Sequence, residues 1–253
     1  MSRWLRPTIL RFDSLPSTNT EAARQAALGA PEGLCVVSRE QTEGRGRRDR
    51  LWVSPSDAGL YFSIILRPRI DTALWPLITL AASLAVRDAL LEACALNVDI
   101  KWPNDIIAGD RKLCGILAET VETETGRACV LGIGINLRDT AFPPELLERA
   151  ASVEALTGGV HDIEGLLQSL LRSLSRHYRR LHEAHGAEET VRDWSQSSSY
   201  SYGKRVRVCT GGEIFDGITR GLESDGALRV EIPGGEIKTV RAGDVTSLRK
   251  RQK

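Results

Sequence analysis

Arg111-Lys112-Leu113-Cys114-Gly115-Ile116-Leu117-Ala118-Glu119 and, after a turn at Thr125-Gly126, Leu131-Gly132-Ile133-Gly134-Ile135-Asn136-Leu137 decide how this chain is read. Leu113–Glu122 and Ala128–Asn136 are apolar and rich in strand formers, so they read as two joined β segments. Lys112 starts the first, and Gly115 follows three residues on. Glycine inside a strand marks the close approach of a ligand or of another backbone. Gly132 and Gly134, two apart, clear one face of the second strand. That leaves room for a flat ligand, with Asn136 at the strand end to bind it. A snorkelling lysine and packing glycines remain the plain alternative. The second run resembles part of a Gly-x-Gly-x-x-Gly signature but lacks its last glycine and a following helix, which argues against a dinucleotide site.

Outward from these strands, Ile9–Leu15 is extended. Thr18-Asn19-Thr20-Glu21 fits a capping box that opens a helix over Glu21–Leu28, ended by Gly29. Leu34–Ser38 and Leu60–Leu66 are short strands. Thr72–Ala95 reads as a long buried helix, with Pro76 tolerated in its first turn. Val98–Lys101 and Ile106–Ala108 are strands around Pro103-Asn104-Asp105. The chain turns loop-like after Asn136. Asp162–His185 is then amphipathic, with Leu166, Leu167, Leu170, Leu171, Leu174, Tyr178 and Leu181 on one face, and Glu188–Ser195 is a short helix. Beyond Ser197–Gly203 the texture changes. Arg205–Cys209, Glu213–Leu222, Ala227–Ile232 and Glu236–Val240 are β runs separated by Gly211-Gly212, Asp225-Gly226 and Gly234-Gly235, the pattern of a small β-barrel. The expected division is residues 1–199 and 200–253.

Composition limits the function. The 253 residues carry 34 Lys plus Arg against 33 Asp plus Glu, a net charge of +1. A dedicated nucleic-acid binder carries a net basic excess on its binding domain. Five cysteines without a Cys-x-x-Cys fit a reducing cytoplasm and argue against a zinc site. Met1–Arg11 has no apolar core, so no secretory signal is expected. Arg87, Asp88 and Glu92 interrupt the apolar stretch Leu74–Leu96, which argues against a membrane span. His182 and His185 read as surface residues. A P-loop and a Gly-x-Ser-x-Gly elbow are both absent.

Three further segments carry chemistry. Gly44-Arg45-Gly46-Arg47-Arg48-Asp49-Arg50 places four arginines within six residues. Their mutual repulsion and the glycines predict a mobile loop that waits for an anion, phosphate or carboxylate. A solvated basic loop and a nucleic-acid contact stay open. Lys101-Trp102-Pro103-Asn104-Asp105 is a stiff turn. It offers a lysine for phosphate and an amide and carboxylate for magnesium or ribose, or else is an Asn-Asp turn with a paired lysine. Ser17-Thr18-Asn19 caps a helix, and the same groups suit a small neutral polar ligand such as a urea.

As an ordered set these segments resemble the biotin protein ligases: Ser17-Thr18-Asn19, Gln41-x-x-Gly44-Arg45-Gly46-Arg47-Arg48-x-Arg50, Lys101-Trp102-Pro103-Asn104-Asp105, Lys112-Leu113-x-Gly115-Ile116-Leu117-x-Glu119 and Gly132-Ile133-Gly134-Ile135-Asn136. The β-rich tail is similar to the family's SH3-like domain. The resemblance implies an α+β fold of the class II aminoacyl-tRNA synthetase/biotin ligase type, a mixed central sheet flanked by helices plus an SH3-like C-terminal β-barrel. It implies that ATP and biotin form biotinyl-5′-AMP, with Mg²⁺. The biotin is then transferred to a lysine of a biotin carboxyl carrier protein such as that of acetyl-CoA carboxylase. Longer members add a DNA-binding domain and repress transcription; the short, ligase-only form is expected here, and a homodimer through the central sheet is implied by resemblance alone.

Residue by residue, Ser17, Thr18, Asn19 and Gln41 are implied to hold the biotin rings, and the backbone of Arg45-Gly46-Arg47 to close over biotin and adenylate. Lys112 and Arg47 are the implied catalytic pair, on the reacting carboxylate and the phosphate. Gly115 would let biotin lie on the sheet. Trp52 would cover the adenine, with Lys101, Asn104 and Asn136 near the nucleotide, Asp105 near Mg²⁺ and Arg249 reaching back from the small domain. Asp49 departs from the family's usual glycine. Lipoate or octanoate transfer on the same scaffold, and a nucleic-acid-binding module, are the rival readings.

Overall fold

The computed structural model describes Leu5, residues 7–139 and residues 142–248, without the side chain of Asp49. Seven strands form one mixed sheet: β1 (Thr8–Leu15), β2 (Leu34–Gln41), β3 (Gly59–Leu66), β4 (Asp99–Lys101), β5 (Asp105–Ala108), β6 (Arg111–Thr123) and β7 (Gly126–Asn136). Their order is β1-β2-β3-β7-β6-β5-β4. β1 runs parallel to β2, and every other pair is antiparallel.

Strand side chains alternate between faces, and here the alternation separates core from site. Leu60, Phe62, Ile64 and Leu66 of β3, with Leu131, Ile133 and Ile135 of β7, enter the main core. That face is covered by α2 (Pro76–Cys94), α4 (Ile163–Arg180) and α5 (Gly186–Ser197). Full burial of each such side chain stabilises by about 1.5–3 kcal/mol. The opposite face carries α1 (Thr18–Ala27) over a smaller cluster of Ala22, Ala26, Val36, Ile65 and Val130. Ser63, Gly115, Gly132 and Gly134 point to that second face.

Several boundaries differ from expectation. Helix α1 starts at Thr18 with Ser17 as N-cap, and neither acts through a capping side chain. The Thr18 hydroxyl is instead spent on Gln41. Pro76 is the first residue of α2, behind a 3-10 turn at Thr72–Leu74. Helix α4 stops at Arg180, ahead of His182, and α3 (Val153–Thr157) lies in a segment expected to be loop. His182 does more than sit on the surface, since its Nε2 accepts the Arg69 amide at 3.1 Å.

The five C-terminal strands are β8 (Tyr202–Cys209), β9 (Ile214–Leu222), β10 (Leu228–Glu231), β11 (Ile237–Val240) and β12 (Asp244–Ser247). They form a separate antiparallel sheet, β11-β10-β9-β8-β12, the SH3-like unit. β12, four residues long, was not expected. Trp102 Nε1 donates to Gly226 O at 3.0 Å and ties the two sheets together. Among the described residues all five cysteines are free thiols. Burial pushes the Cys35 and Cys129 thiols up to about 12. No helix among the described residues is long and apolar enough to cross a membrane.

Candidate active site

On the α1 face of the sheet lies a cavity of about 290 Å³. Its floor is where β6 and β7 pair with Gly115 opposite Gly134. The glycines are required. A Cβ on Gly134 would sit 2.5 Å from Trp52 Nε1, and one on Gly132 would sit 2.0 Å from Asn19 Oδ1. The flat group against Gly115 and Gly134 is the Trp52 indole, whose buried Nε1 has no partner.

One end of the cavity is neutral and polar. The Thr18 amide and hydroxyl both donate to Gln41 Oε1, at 2.9 and 3.1 Å. Gln41 Nε2 donates to Ser54 Oγ at 2.8 Å, and Ser54 Oγ to Trp52 O at 3.1 Å. Ser63 Oγ lies 2.7 Å from Thr18 Oγ1 and 2.6 Å from Asn19 Oδ1. Ser17, Thr18 and Asn19 are each only 4% exposed. These amides and hydroxyls could match a compact polar ring, since buried polar groups must find partners.

The middle carries the charge. Lys112 Nζ is 2.7 Å from Asp105 Oδ1 and 5.2 Å from the Trp52 ring centre. Asn104 is fixed by its Nδ2, which donates to Ile116 O at 2.7 Å. Its Oδ1 accepts from Arg47 Nη1 at 3.2 Å, and the same nitrogen reaches Gly243 O at 3.2 Å. Burial holds the Arg47 guanidinium below its ordinary pKa, though arginine stays charged at neutral pH.

The arginine segment, expected to be a mobile loop, follows a hairpin-like course in the structure. Gly46 N donates to Arg50 O at 2.7 Å, and Trp52 N to Gly44 O at 2.8 Å. Arg48, at φ 56°, turns the tip through the left-handed region. Its guanidinia are separated by acceptors that the local sequence does not contain. Arg45 meets Glu119 at 3.3 Å, while Arg48 and Arg50 meet Asp244 on β12.

A strap after β7 closes the last side. Lys112 N donates to Arg149 O and Ala151 N to Lys112 O, both at 2.8 Å. Asn136 Nδ2 reaches Lys112 O and Ala151 O, so its amide holds the strap to the strand. The strap brings Phe142, Leu146, Arg149 and Ala150 into the cavity wall, and β12 brings Asp244. Sequence reasoning missed all five. Of the expected residues, Ser17, Thr18, Asn19, Gln41, Arg45, Gly46, Arg47, Trp52, Asn104, Asp105, Lys112, Gly115 and Asn136 line this one cavity. Lys101 does not; it stands beside it on β4, and burial pulls its pKa down. Arg249 lies outside the described residues.

Comparison with known proteins agrees with this geometry. The biotin/lipoate A/B protein ligase family matches residues 11–136, and the biotin protein ligase C terminal domain matches residues 202–246. The bifunctional ligase/repressor BirA of Bacillus subtilis is 36% identical over 94% of this chain and 73% of that protein. The biotin--[acetyl-CoA-carboxylase] ligase of Mycobacterium tuberculosis is 34% identical over 92% of this chain and 86% of its own length. The biotin protein ligase from Aquifex aeolicus in complex with biotin and ATP superposes with a TM-score of 0.82 at 28% identity, covering 96% of this chain and 99% of that one. Matched across both its sheets, the chain belongs to the biotin protein ligase family.

Proposed function

We propose that the chain joins biotin to ATP, giving biotinyl-5′-AMP and pyrophosphate, and then transfers the biotinyl group to one lysine of a biotin carboxyl carrier protein. The observation that carries this reading is the order of groups along one cavity: Thr18, Asn19 and Gln41 beside Gly132, then Lys112 beside Gly115 and Asp105, then Arg47 on Asn104. Biotin has the same order, a polar ureido ring followed by a chain and a carboxylate.

In the first step a carboxylate oxygen attacks the α-phosphorus and the bond to pyrophosphate breaks. Two anions must meet, and Lys112 and Arg47 offset their repulsion. Positioning and charge suffice, without a protein nucleophile. In the second step the acceptor amine attacks the acyl carbonyl, AMP leaves, and the amine gives up a proton. Asp105, 2.7 Å from the Lys112 ammonium, keeps that cation aimed at the acyl-phosphate oxygen. Trp52 supplies a flat surface for adenine. Lys101, Asn104, Asn136 and Arg249 are assigned to the nucleotide side.

Among the described residues no group of three or more His, Cys, Asp or Glu could hold a metal. Asp105 offers one carboxylate, which fits Mg²⁺ carried largely by phosphate and water. The domain division at residues 199/200, a reducing cytoplasm for the free thiols, and a homodimer through the sheet belong to the same proposal. So does a ligase role without repression for these 253 residues.

ATP–pyrophosphate exchange with biotin, lipoate and octanoate tests the reading. Exchange that needs biotin supports it. Exchange with lipoate or octanoate alone moves the chain to the sister activity, and none with any acid in the presence of Mg²⁺ sinks it. Biotin transfer to an isolated carrier domain tests the second step, and a DNA-binding assay tests the absence of repression.

A further inference from the structure

Seven side chains of the site form one polar circuit that begins at Trp52, just past the arginine segment, and ends on Arg45 within it. From Trp52 O it runs through Ser54, Gln41, Thr18, Ser63 and Asn19 to Glu119, and returns through Arg45. Glu119 is the one anion in it. Asn19 Nδ2 donates to Glu119 Oε2 at 2.7 Å and to Leu117 O at 3.4 Å. Arg45 Nη2 lies 3.3 Å from the Glu119 carboxylate. The side chain is 32% exposed and is not part of the cavity wall, so it acts only through Asn19 and Arg45.

An ionised carboxylate only accepts hydrogen bonds. It therefore fixes which way the Asn19 amide points. The NH₂ must face Glu119, and the carbonyl oxygen must face Ser63 and the bare surface of Gly132. That presents an acceptor, and no donor, to whatever ring enters. A cyclic urea has N–H donors to meet it; a dithiolane ring has none. A site that presents a buried polar group discriminates strongly against a ligand that leaves it unpaired. The same carboxylate clasps Arg45 at the entry of the closing segment.

We propose that Glu119 is a positioning residue that sets acid specificity: it locks the Asn19 amide in the orientation that accepts from a ureido ring, and through Arg45 it links that orientation to closure of the arginine segment. The inference rests on the biotin ligase reading.

Steady-state pyrophosphate exchange on the wild type, Glu119→Gln, Arg45→Ala and the double variant tests it. Glutamine keeps the shape but can donate, so the Asn19 amide loses its strongest orienting acceptor and is held only by Leu117 O and Ser63. The expected result for Glu119→Gln is a KM for biotin raised about tenfold, the scale of one charge-assisted hydrogen bond. Its kcat and the KM for ATP stay within about twofold, and the preference for biotin over lipoate falls by a similar factor. Arg45→Ala gives a smaller rise, and the double variant is no worse than Glu119→Gln because both act through one carboxylate. An unchanged KM for biotin, or a fall in kcat at constant KM, overturns the inference and leaves the ligase reading standing. Additive effects overturn the link to the arginine segment. Absence of biotin-dependent exchange in the wild type overturns the ligase reading itself.

Discussion

The glycine floor and the arginine segment face each other across one cavity and are held in opposite ways. The floor is a stretch of paired strand, fixed by backbone hydrogen bonds and by the apolar core beneath it. The arginine segment has few backbone bonds and is held by ion pairs to Glu119 and to Asp244, with Arg45, Arg48 and Arg50 39–66% exposed. Exposed pairs of this kind contribute about 0.2–1 kcal/mol each and weaken in salt. The floor is therefore suited to reading a shape, and the segment to opening and closing on an anion.

The comparison can be broken by substitutions on either side. The largest effect is expected from Lys112→Ala, which removes the cation that the floor presents to the cavity. Biotin-dependent exchange should drop by about 100- to 1000-fold, the loss seen when one preorganised charge-stabilising group is removed. An activity within tenfold of wild type would show that the segment alone supplies the charge. Gly132→Ala comes next. Its methyl would enter the space of Asn19 Oδ1, and overpacking of about 2 kcal/mol corresponds to roughly thirtyfold in kcat/KM for biotin. A binding titration should show the same loss, independent of salt.

On the other side, Arg47→Gly should leave biotin binding alone and speed the loss of adenylate about tenfold. Release of labelled adenylate in a stopped-flow trap measures it, and an unchanged rate would take Arg47 out of the closing segment. The smallest effect is expected from Asp244→Asn. Adenylate release should rise about threefold at low salt, and the difference from wild type should vanish near 1 M salt. A salt-independent defect would mean that Asp244 touches the nucleotide itself.

The contrast also explains what could be read from the sequence. The floor was legible because the strand period of two turns Gly115, Gly132 and Gly134 into a one-sided pattern within short stretches of chain. The polar end was legible for a similar reason, since Ser17-Thr18-Asn19 is contiguous, although the capping-box reading placed the helix start three residues late. The partners of the arginines were not legible. Glu119 and Asp244 lie 74 and up to 196 residues from the arginines they meet, and no local rule joins them. The strap residues Phe142, Leu146, Arg149 and Ala150 were hidden because that segment has no periodicity; the backbone bonds around Lys112 and the Asn136 amide place it. Lys101 stands next to the cavity rather than in its wall, since the turn presents Asn104 and Asp105 to the cavity while the lysine before them stays on β4.

The separation between Arg47 and its acceptor on Gly243, 196 residues, has a consequence in time. A ribosome adds about 5–20 residues per second, so the arginine segment leaves the exit tunnel roughly 10–40 s before its anchor does. During that interval the floor, strands β1 to β7, can already assemble while the clasp over it cannot. A chain whose translation stops short of β12 is thus expected to lack the contacts that would keep a reactive adenylate from escaping into solution. On the proposed function, completion of β12 is the point from which the chain can hold its adenylate. Adenylate leakage from nascent chains stalled with β12 inside and outside the tunnel would measure it.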